Sequence, residues 1–528
     1  MAHQAPVGGT VTAITGDARG TGFSGLPPVL DTAMIRCGST ERSHQEVQVR
    51  AAQIAAGLTT LGVTKGDNVA LVLANSVEYL EVTAGITLAG ANPVPVNWHW
   101  KSGELGYLLS DSASVAAFVH SDFVPAVEQT GTSIPLVVIN TGPEPVPTSH
   151  LDYQTWVASH EPAAAPTAPS AGFGMIYTSG TTGRPKGIVR EFGSPDDLME
   201  MATAIMQRMG LGPGVRTLIP APLYHTAPNT VAALAMRLGM DIAILTRFDA
   251  EEFLAAIERH RVQQVQMVPT MFTRLLRLPH DVRDSYDLSS LRTVVHSAAP
   301  CPAHIKRQMI DWLGPIINEY YGGSETGPVV WCTTQEWLSH PGTVGAPADG
   351  AQVRIVDLDD EDVPTGEVGI VYIKPADYWP GFTYHGDDKK RREMELDGFV
   401  TVGDMGRVDD DGYLYLTDRT NDMVISGGVN IYPAEIEAVL SEMPAVRDCA
   451  VFGIPDDEYG ESLAAHVELG HGFTLSEDEV RSFLRGTLAG FKVPKVIVFD
   501  SNLPREDSGK LFKRRIRDAY WRESDSRI

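Results

Sequence analysis

Short runs of apolar, often β-branched residues alternate with helix-length stretches through most of this 528-residue chain. Residues 69–73 (Val-Ala-Leu-Val-Leu) read as a strand buried on both faces, and 136–139, 217–219, 242–245 and 293–296 read the same way. Helical patterns lie between them, such as 251–261, where Phe253, Leu254 and Ile257 share one face. A strand without polar alternation needs cover on both sides, and interleaved helices supply it. The pattern predicts an α/β fold with parallel sheets flanked by helices. A chain of this length exceeds what one core can hold, so two or more domains are expected.

The rhythm changes near residue 350. Short strands at 353–356 and 370–373 are separated by acidic turns such as 357–362, which suggests a small antiparallel or barrel-like unit. Upstream, a Pro/Ala linker over 161–170 leads into a strand at 173–177. Residues 419–528 read as a separate, small α+β domain. Within it Pro433 suits the first turn of a helix whose apolar face is Ile436, Val439 and Leu440, and strands are expected at 449–452 and 496–499. The expected boundaries are thus 1–418 and 419–528.

The linker delivers the chain into Tyr177-Thr178-Ser179-Gly180-Thr181-Thr182-Gly183-Arg184-Pro185-Lys186-Gly187. Glycines let backbone N–H groups approach an anion, and consecutive N–H groups form a nest for it. The hydroxyls add neutral donors and Lys186 a point charge. The run reads as a phosphate-holding loop. It is not a Walker A loop, because Gly180, Gly183 and Lys186 stand three apart.

The formal charge of −25 argues against broad nucleic-acid or anionic-membrane binding, so local cations must meet any anionic ligand. Cys37, Cys301, Cys332 and Cys449 are widely spaced, as reduced thiols would be, and form no CxxC pair. No secretory signal or apolar run of membrane-spanning length is visible. A cytoplasmic protein, monomeric or homodimeric, is the expectation. The charge run 387–393 is expected to be solvated surface.

Further motifs follow in order: Tyr321-Gly322-Gly323-Ser324-Glu325-Thr326-Gly327, Val402-Gly403-Asp404, Asp418-Arg419, Ser426-Gly427-Gly428-Val429-Asn430-Ile431-Tyr432-Pro433, and Pro504-Arg505-Glu506-Asp507-Ser508-Gly509-Lys510. With the glycine loop, this set resembles the adenylate-forming superfamily of acyl-CoA synthetases, peptide-synthetase adenylation domains and luciferases. The resemblance runs from Gly66-Asp67 to Lys510. It implies that Thr178, Ser179, Gly180, Thr181, Thr182 and Gly183 cradle the β- and γ-phosphates of ATP, with Lys186 adjacent. Tyr321 would stack on adenine, and the backbone of Ser297, Ala298, Ala299 and Pro300, with Gly322, would line that pocket. Ser324, where the family usually has Thr, keeps a hydroxyl for the α-phosphate, and Glu325 would hold Mg2+. Asp404 would accept the ribose hydroxyls and Arg419 would reach the ribose or α-phosphate. Lys510 would bridge carboxylate and α-phosphate during attack.

The resemblance further implies a carboxylate activated to an acyl-adenylate, then displaced by a nucleophile after the small domain rotates. Gly427 and Gly428 would line the approach of the CoA thiol. Asn421 stands where the hinge residue is often charged. The runs 96–100, 222–225, 268–270 and 427–433 are closer to fatty-acid and aryl-acid CoA ligases than to peptide-synthetase domains. No carrier segment follows Lys510, so a stand-alone ligase of secondary metabolism is expected. His225 would gate the acyl pocket, its rival reading being a satisfied core histidine. Thr226, Asn229, His296, Gly322, Gly323 and Thr326 are further pocket candidates, with the glycines leaving room for an aryl, cyclic or medium-chain acid. Relatives that activate another acid or use another nucleophile, among them amide-forming ligases and nitrite-activating diazotases, share this machinery. A scaffold without activity is the reading from outside enzymology, and the presence of both Lys510 and Glu325 counts against it.

Overall fold

The computed structural model describes residues 33–162, 174–178, 185–191, 194–420, 422–427, 429–456, 458–505 and 511–523. Its largest sheet has nine strands, six of them parallel neighbours: Met34–Cys37, Asp241–Ile244, Arg216–Ile219, Gln264–Met267, Thr293–His296 and Ile317–Tyr321. Helices cover both faces, as strands without polar alternation require. One face packs on Phe253, Leu254 and Ile257 of helix Ala250–His260 and on helices Pro269–Leu276 and Ala303–Leu313. Asp249 caps helix Ala250–His260 by accepting the N–H groups of Glu251 and Glu252.

The other face shares a core with a second sheet of five parallel strands, which contains Asn68–Val72 and Leu136–Ile139. Helices His44–Thr60, Val77–Leu88, Pro195–Met209 and Thr226–Arg237 contribute to that shared core. An antiparallel five-stranded sheet follows, including Gln352–Val356, Gly369–Lys374, Phe399–Val408 and Leu414–Arg419. This is the expected smaller unit.

The strand expected at 173–177 is found at Ile176–Thr178, residue 173 lying outside the described residues. It pairs antiparallel with Lys186–Glu191, Thr178 opposite Lys186, and Gly381–Tyr384 completes a three-stranded sheet. The ends of the glycine loop are therefore the two strands of a hairpin. The charge run corrects another expectation. Asp388–Arg392 is a short helix, and Asp387 is more than solvated surface: it caps this helix and bonds Lys186 at 2.5 Å.

Past Arg419, strands Val424–Ser426, Val429–Ile431, Val446–Asp456, Gly460–Leu469 and Val496–Asp500 form a separate sheet. It has its own core with helices Pro433–Leu440 and Glu477–Thr487, and Pro433 sits at the helix start, as expected. Helix Lys513–Glu523 packs on strand Val446–Asp456. This unit touches the rest of the chain where Arg277, capping Pro269–Leu276, donates to the carbonyl of Arg447. Among the described residues no helix is long and apolar enough to cross a membrane, and all four cysteines are free thiols.

Candidate active site

Three groups of motif residues follow the C-terminal ends of parallel strands in the large sheet. His225 and Thr226 come after Arg216–Ile219, residues 297–300 come after Thr293–His296, and Tyr321 ends Ile317–Tyr321. Open parallel sheets place ligand crevices outside these strand ends. The first connection is held in shape by Asn75, whose side chain donates to Ala221 O and accepts from Leu223 N. Ala298 takes a positive φ of 75° although it has a side chain. Non-glycine residues in that region mark turns whose surroundings over-determine the backbone. Ser297 is buried while Ala298 and Pro300 are exposed, so this loop offers mainly backbone to the crevice.

The 322–327 turn is the centre of the site. Gly327 N donates to Gly323 O at 2.9 Å and Val329 N to Tyr321 O at 3.0 Å, folding the segment back on itself. Thr326, only 1% exposed, accepts from Gly323 N at 3.0 Å. A Cβ on Gly322 would overlap the carbonyl of Gly327, and one on Gly323 would lie 2.9 Å from Glu325 Oε2. Gly322 is therefore required by close backbone approach, which corrects the expectation that it leaves room for substrate, whereas the nearest contact at Gly323 is the flexible end of a side chain.

The turn presents Ser324 and Glu325. Ser324 Oγ lies 2.7 Å from Thr226 Oγ1, the first residue of helix Thr226–Arg237. Glu325 Oε1 accepts from Tyr384 Oη at 3.0 Å and from Thr178 Oγ1 at 3.4 Å. Burial, then the Glu325 charge, raises the Tyr384 phenol, so it stays a donor. Lys186 lies over the Tyr384 ring at 5.3 Å. Its pairing with Asp387 holds that carboxyl below the usual carboxylate range, with the cap bond from Lys390 N as the next cause.

A second line runs through the half-barrel sheet. Tyr321 Oη donates to Asp404 Oδ2 at 2.8 Å, and Asp404 Oδ1 lies 3.3 Å from Arg419 Nε. Burial, then Asp404, pushes the Tyr321 phenol well up, and its ring packs beside Val329 and Val330. Asp404 and Arg419 are register partners on adjacent strands. Motifs nearly a hundred residues apart thus meet.

Other candidates fall elsewhere. His296 is fully buried against Phe272 and the Lys306–Glu319 pair, where burial drives its imidazole well towards neutral, so it is a core residue. Asn229 spends its amide on Tyr79 Oη and Leu223 O, and Thr326 is spent within its turn, so neither offers its side chain to an acid. His225 is half-buried at the start of its helix, its ring 4.2 Å from that of Tyr224. Gly427 takes φ +57° and donates to Tyr459 O at 2.9 Å. Ser179, Gly180, Thr181, Thr182, Gly183, Asn421, Gly428 and Lys510 lie outside the described residues.

Tyr384, Asp387 and Arg190 join the site without having been singled out as its members. Lys186 and Arg190, four apart on one strand, share a face with Ile188, and that period of two was the available signal.

Metal fit follows from the donor set. Among the described residues no group of three or more His, Cys, Asp or Glu side chains could hold a metal ion. Glu325 is a lone carboxylate flanked by hydroxyls, which suits Mg2+ held by one or two carboxylates plus phosphate oxygens and water.

Residues 28–382 match the AMP-binding enzyme family and 435–510 its C-terminal domain. A feruloyl-CoA synthase of Amycolatopsis sp is 35% identical over 488 residues, covering 92% of this chain and 95% of that protein. ATP-bound MatB from Rhodopseudomonas palustris superposes with a TM-score of 0.79 at 28% identity, over 93% of this chain and 97% of its own. The anthranilate CoA ligase AuaEII, in complex with anthranoyl-AMP, superposes at 0.81 with 26% identity, over 93% and 94%. From its first parallel sheet to its terminal sheet, the chain belongs to the AMP-binding enzyme family.

Proposed function

We propose that this protein is an AMP-forming acid–CoA ligase for an aryl, cyclic or medium-chain carboxylic acid. The observation that carries the reading is the meeting of Thr178, Ser324, Glu325 and Tyr384 at the strand ends, beside the Tyr321–Asp404–Arg419 line. The likeness to aryl-acid CoA ligases supports the substrate class. In the first step a carboxylate oxygen forms a bond to the α-phosphorus of ATP. The bond to the β-phosphate oxygen breaks and pyrophosphate leaves. In the second step the CoA sulfur bonds to the acyl carbon, AMP leaves, and the thiol proton is released.

Positioning and charge neutralisation are what such a transfer needs. Glu325 would hold Mg2+, which neutralises phosphate charge when bound. Ser324 and Arg419 would meet the α-phosphate and Asp404 the ribose. Thr178, Ser179, Gly180, Thr181, Thr182 and Gly183 would grip the leaving pyrophosphate unit, with Lys186 beside them. Lys510 would bridge carboxylate and α-phosphate, and His225 would gate the acid. Gly427 and Gly428 would flank the thiol after residues 419–528 rotate as a unit about the segment following Asp418. A cytoplasmic enzyme of secondary metabolism fits this chemistry.

The test is pyrophosphate release across a panel of carboxylic acids, with and without CoA, and thioester detection by mass. Acid-dependent pyrophosphate release followed by a CoA thioester is expected. AMP release with nitrite and an arylamine, but none with any carboxylate, would overturn the reading.

A further inference from the structure

Arg190 is a cation with little solvent and few partners. It follows the glycine loop on strand Lys186–Glu191, opposite Phe382. Its Nη2 donates to the carbonyl of Ser324, while its Nη1 is shut from solvent and has no hydrogen-bond partner among the described residues. The guanidinium lies over Trp379, Cζ 5.8 Å from the ring centroid. Trp379 in turn lies against Gly327, where any Cβ would overlap its indole. Burial lowers the guanidinium to about 10, against the opposing pull of Glu325. That carboxylate is presented by the same turn whose Ser324 carbonyl the guanidinium holds.

Arg190 and Trp379 thus grip the 322–327 turn at two points, the Ser324 carbonyl and Gly327. Between them lie the hydroxyl and carboxylate assigned to the α-phosphate and metal. A desolvated cation is costly unless other groups are arranged around it. A planar fork that bonds a carbonyl while stacking on an indole also has a geometry that Lys lacks.

The geometry points to Arg190 as a positioning residue of the adenylation site, whose guanidinium fork sets the Ser324–Glu325 turn for the α-phosphate of the nucleotide. This rests on the ligase reading above and deepens it. Arg190 acts through Ser324 and Glu325, so its loss should weaken phosphate contacts and spare adenine and ribose contacts.

The experiment compares wild type with Arg190→Met and Arg190→Lys by calorimetric titration with AMP and, separately, adenosine. Acid-dependent ATP–pyrophosphate exchange is measured in parallel. For Arg190→Met we expect AMP affinity to fall about tenfold, with adenosine within about twofold. The exchange kcat should fall ~10–100-fold while KM for the acid moves less than about threefold, as for an interaction made mainly in the transition state. Arg190→Lys keeps the charge but not the fork, and should recover only part of both losses. An AMP-to-adenosine ratio like that of wild type in Arg190→Lys, or equal loss of both ligands in either variant, would overturn the inference. Should Arg190→Met fail to fold, Arg190→Lys still decides. If wild type binds AMP yet exchanges pyrophosphate with no acid, the ligase reading fails, and the AMP-to-adenosine comparison still judges Arg190.

Discussion

At the scale of single residues, the 322–327 turn shows why a glycine can matter without touching a ligand. Gly322 faces the carbonyl of Gly327 across the fold of the turn. Gly322→Ala must open that turn, displacing Ser324 and Glu325, at a cost of at least ~1–3 kcal/mol for overpacking. Pyrophosphate release should drop by more than about a hundredfold, since misplacement of about 1 Å is enough for that loss. Gly142→Ala is the control: its Cβ meets nothing within 4 Å, and melting and activity should stay at wild-type values. A Gly322→Ala protein with normal pyrophosphate release would show that the turn tolerates opening. Residue types alone announced that this segment was special. They did not say that Gly322 serves the backbone, because the overlap is with an atom five residues on, visible only once the turn is closed.

At the scale of elements, the site depends on how the hairpin carrying the glycine loop is tied down. Lys186 reaches across to the cap of helix Asp388–Arg392, joining segments two hundred residues apart. The Asp387 side chain is 39% exposed and that of Lys186 21%, so solvent screens the pair, which contributes ~0–1 kcal/mol, and its loss should raise KM for ATP no more than about fivefold. Steady-state kinetics of Asp387→Asn checks this, and a fall in kcat of about a hundredfold would mean that the pair does more than tether.

Another tie closes the far end of the small sheet. Asp456 accepts the N–H groups of Glu458 and Tyr459 and pairs with Lys495 at 2.6 Å. Chiefly through Lys495, its carboxyl is held at about 2, against an ordinary 3.8. A depressed folded value means that the stabilisation is present above the unfolded value and is lost as protons bind the folded state. The closure next to Gly427 should loosen only as pH falls from about 4 to about 2, with no change between pH 5 and 8. Carboxyl NMR titration of Asp456 would read it, and a midpoint near 4 would contradict the arrangement. Strand runs such as 293–296 were legible because local composition sets them, and strand Thr293–His296 has those bounds. The ties were not legible, since Lys186–Asp387 and Glu325–Tyr384 are long-range pairings whose second partners, Asp387 and Tyr384, carry no local motif.

At the scale of the whole molecule, the terminal sheet and the large sheets have separate cores joined through strand Leu414–Arg419. At this junction Asp418 Oδ2 accepts Ala434 N at 2.8 Å, at the start of helix Pro433–Leu440. Lys513, three residues beyond Lys510, pairs with Glu437 of that helix at 2.8 Å. Glu437 also accepts the N–H of Val451, so the last helix, the helix after the junction and the sheet are pinned together. Burial raises the Glu437 carboxyl and Lys513 opposes it. The pair is half-buried, so removing one partner leaves a partly desolvated charge without its hydrogen bond, at ~1–3 kcal/mol. Lys513→Met should therefore destabilise the terminal unit by about that amount in denaturant unfolding, and adding Glu437→Gln should restore most of it. Additive losses would mean that the pair is not coupled.

The pinning matters for how activity divides between the two steps. If residues 419–528 move as one body, a group at Lys510 can serve adenylation and be absent from thioester formation. Lys510→Ala should then lower acid-dependent pyrophosphate release by more than about a hundredfold, the scale of losing a positioned charge at a developing phosphate centre. Thioester formation from supplied acyl-adenylate and CoA should stay within about threefold of wild type, because the second step does not use that charge. The two half-reactions are measured separately, one by pyrophosphate release and the other by thioester mass. Equal loss in both would mean that Lys510 stays at the site throughout, and the division of labour between the two units would have to be abandoned.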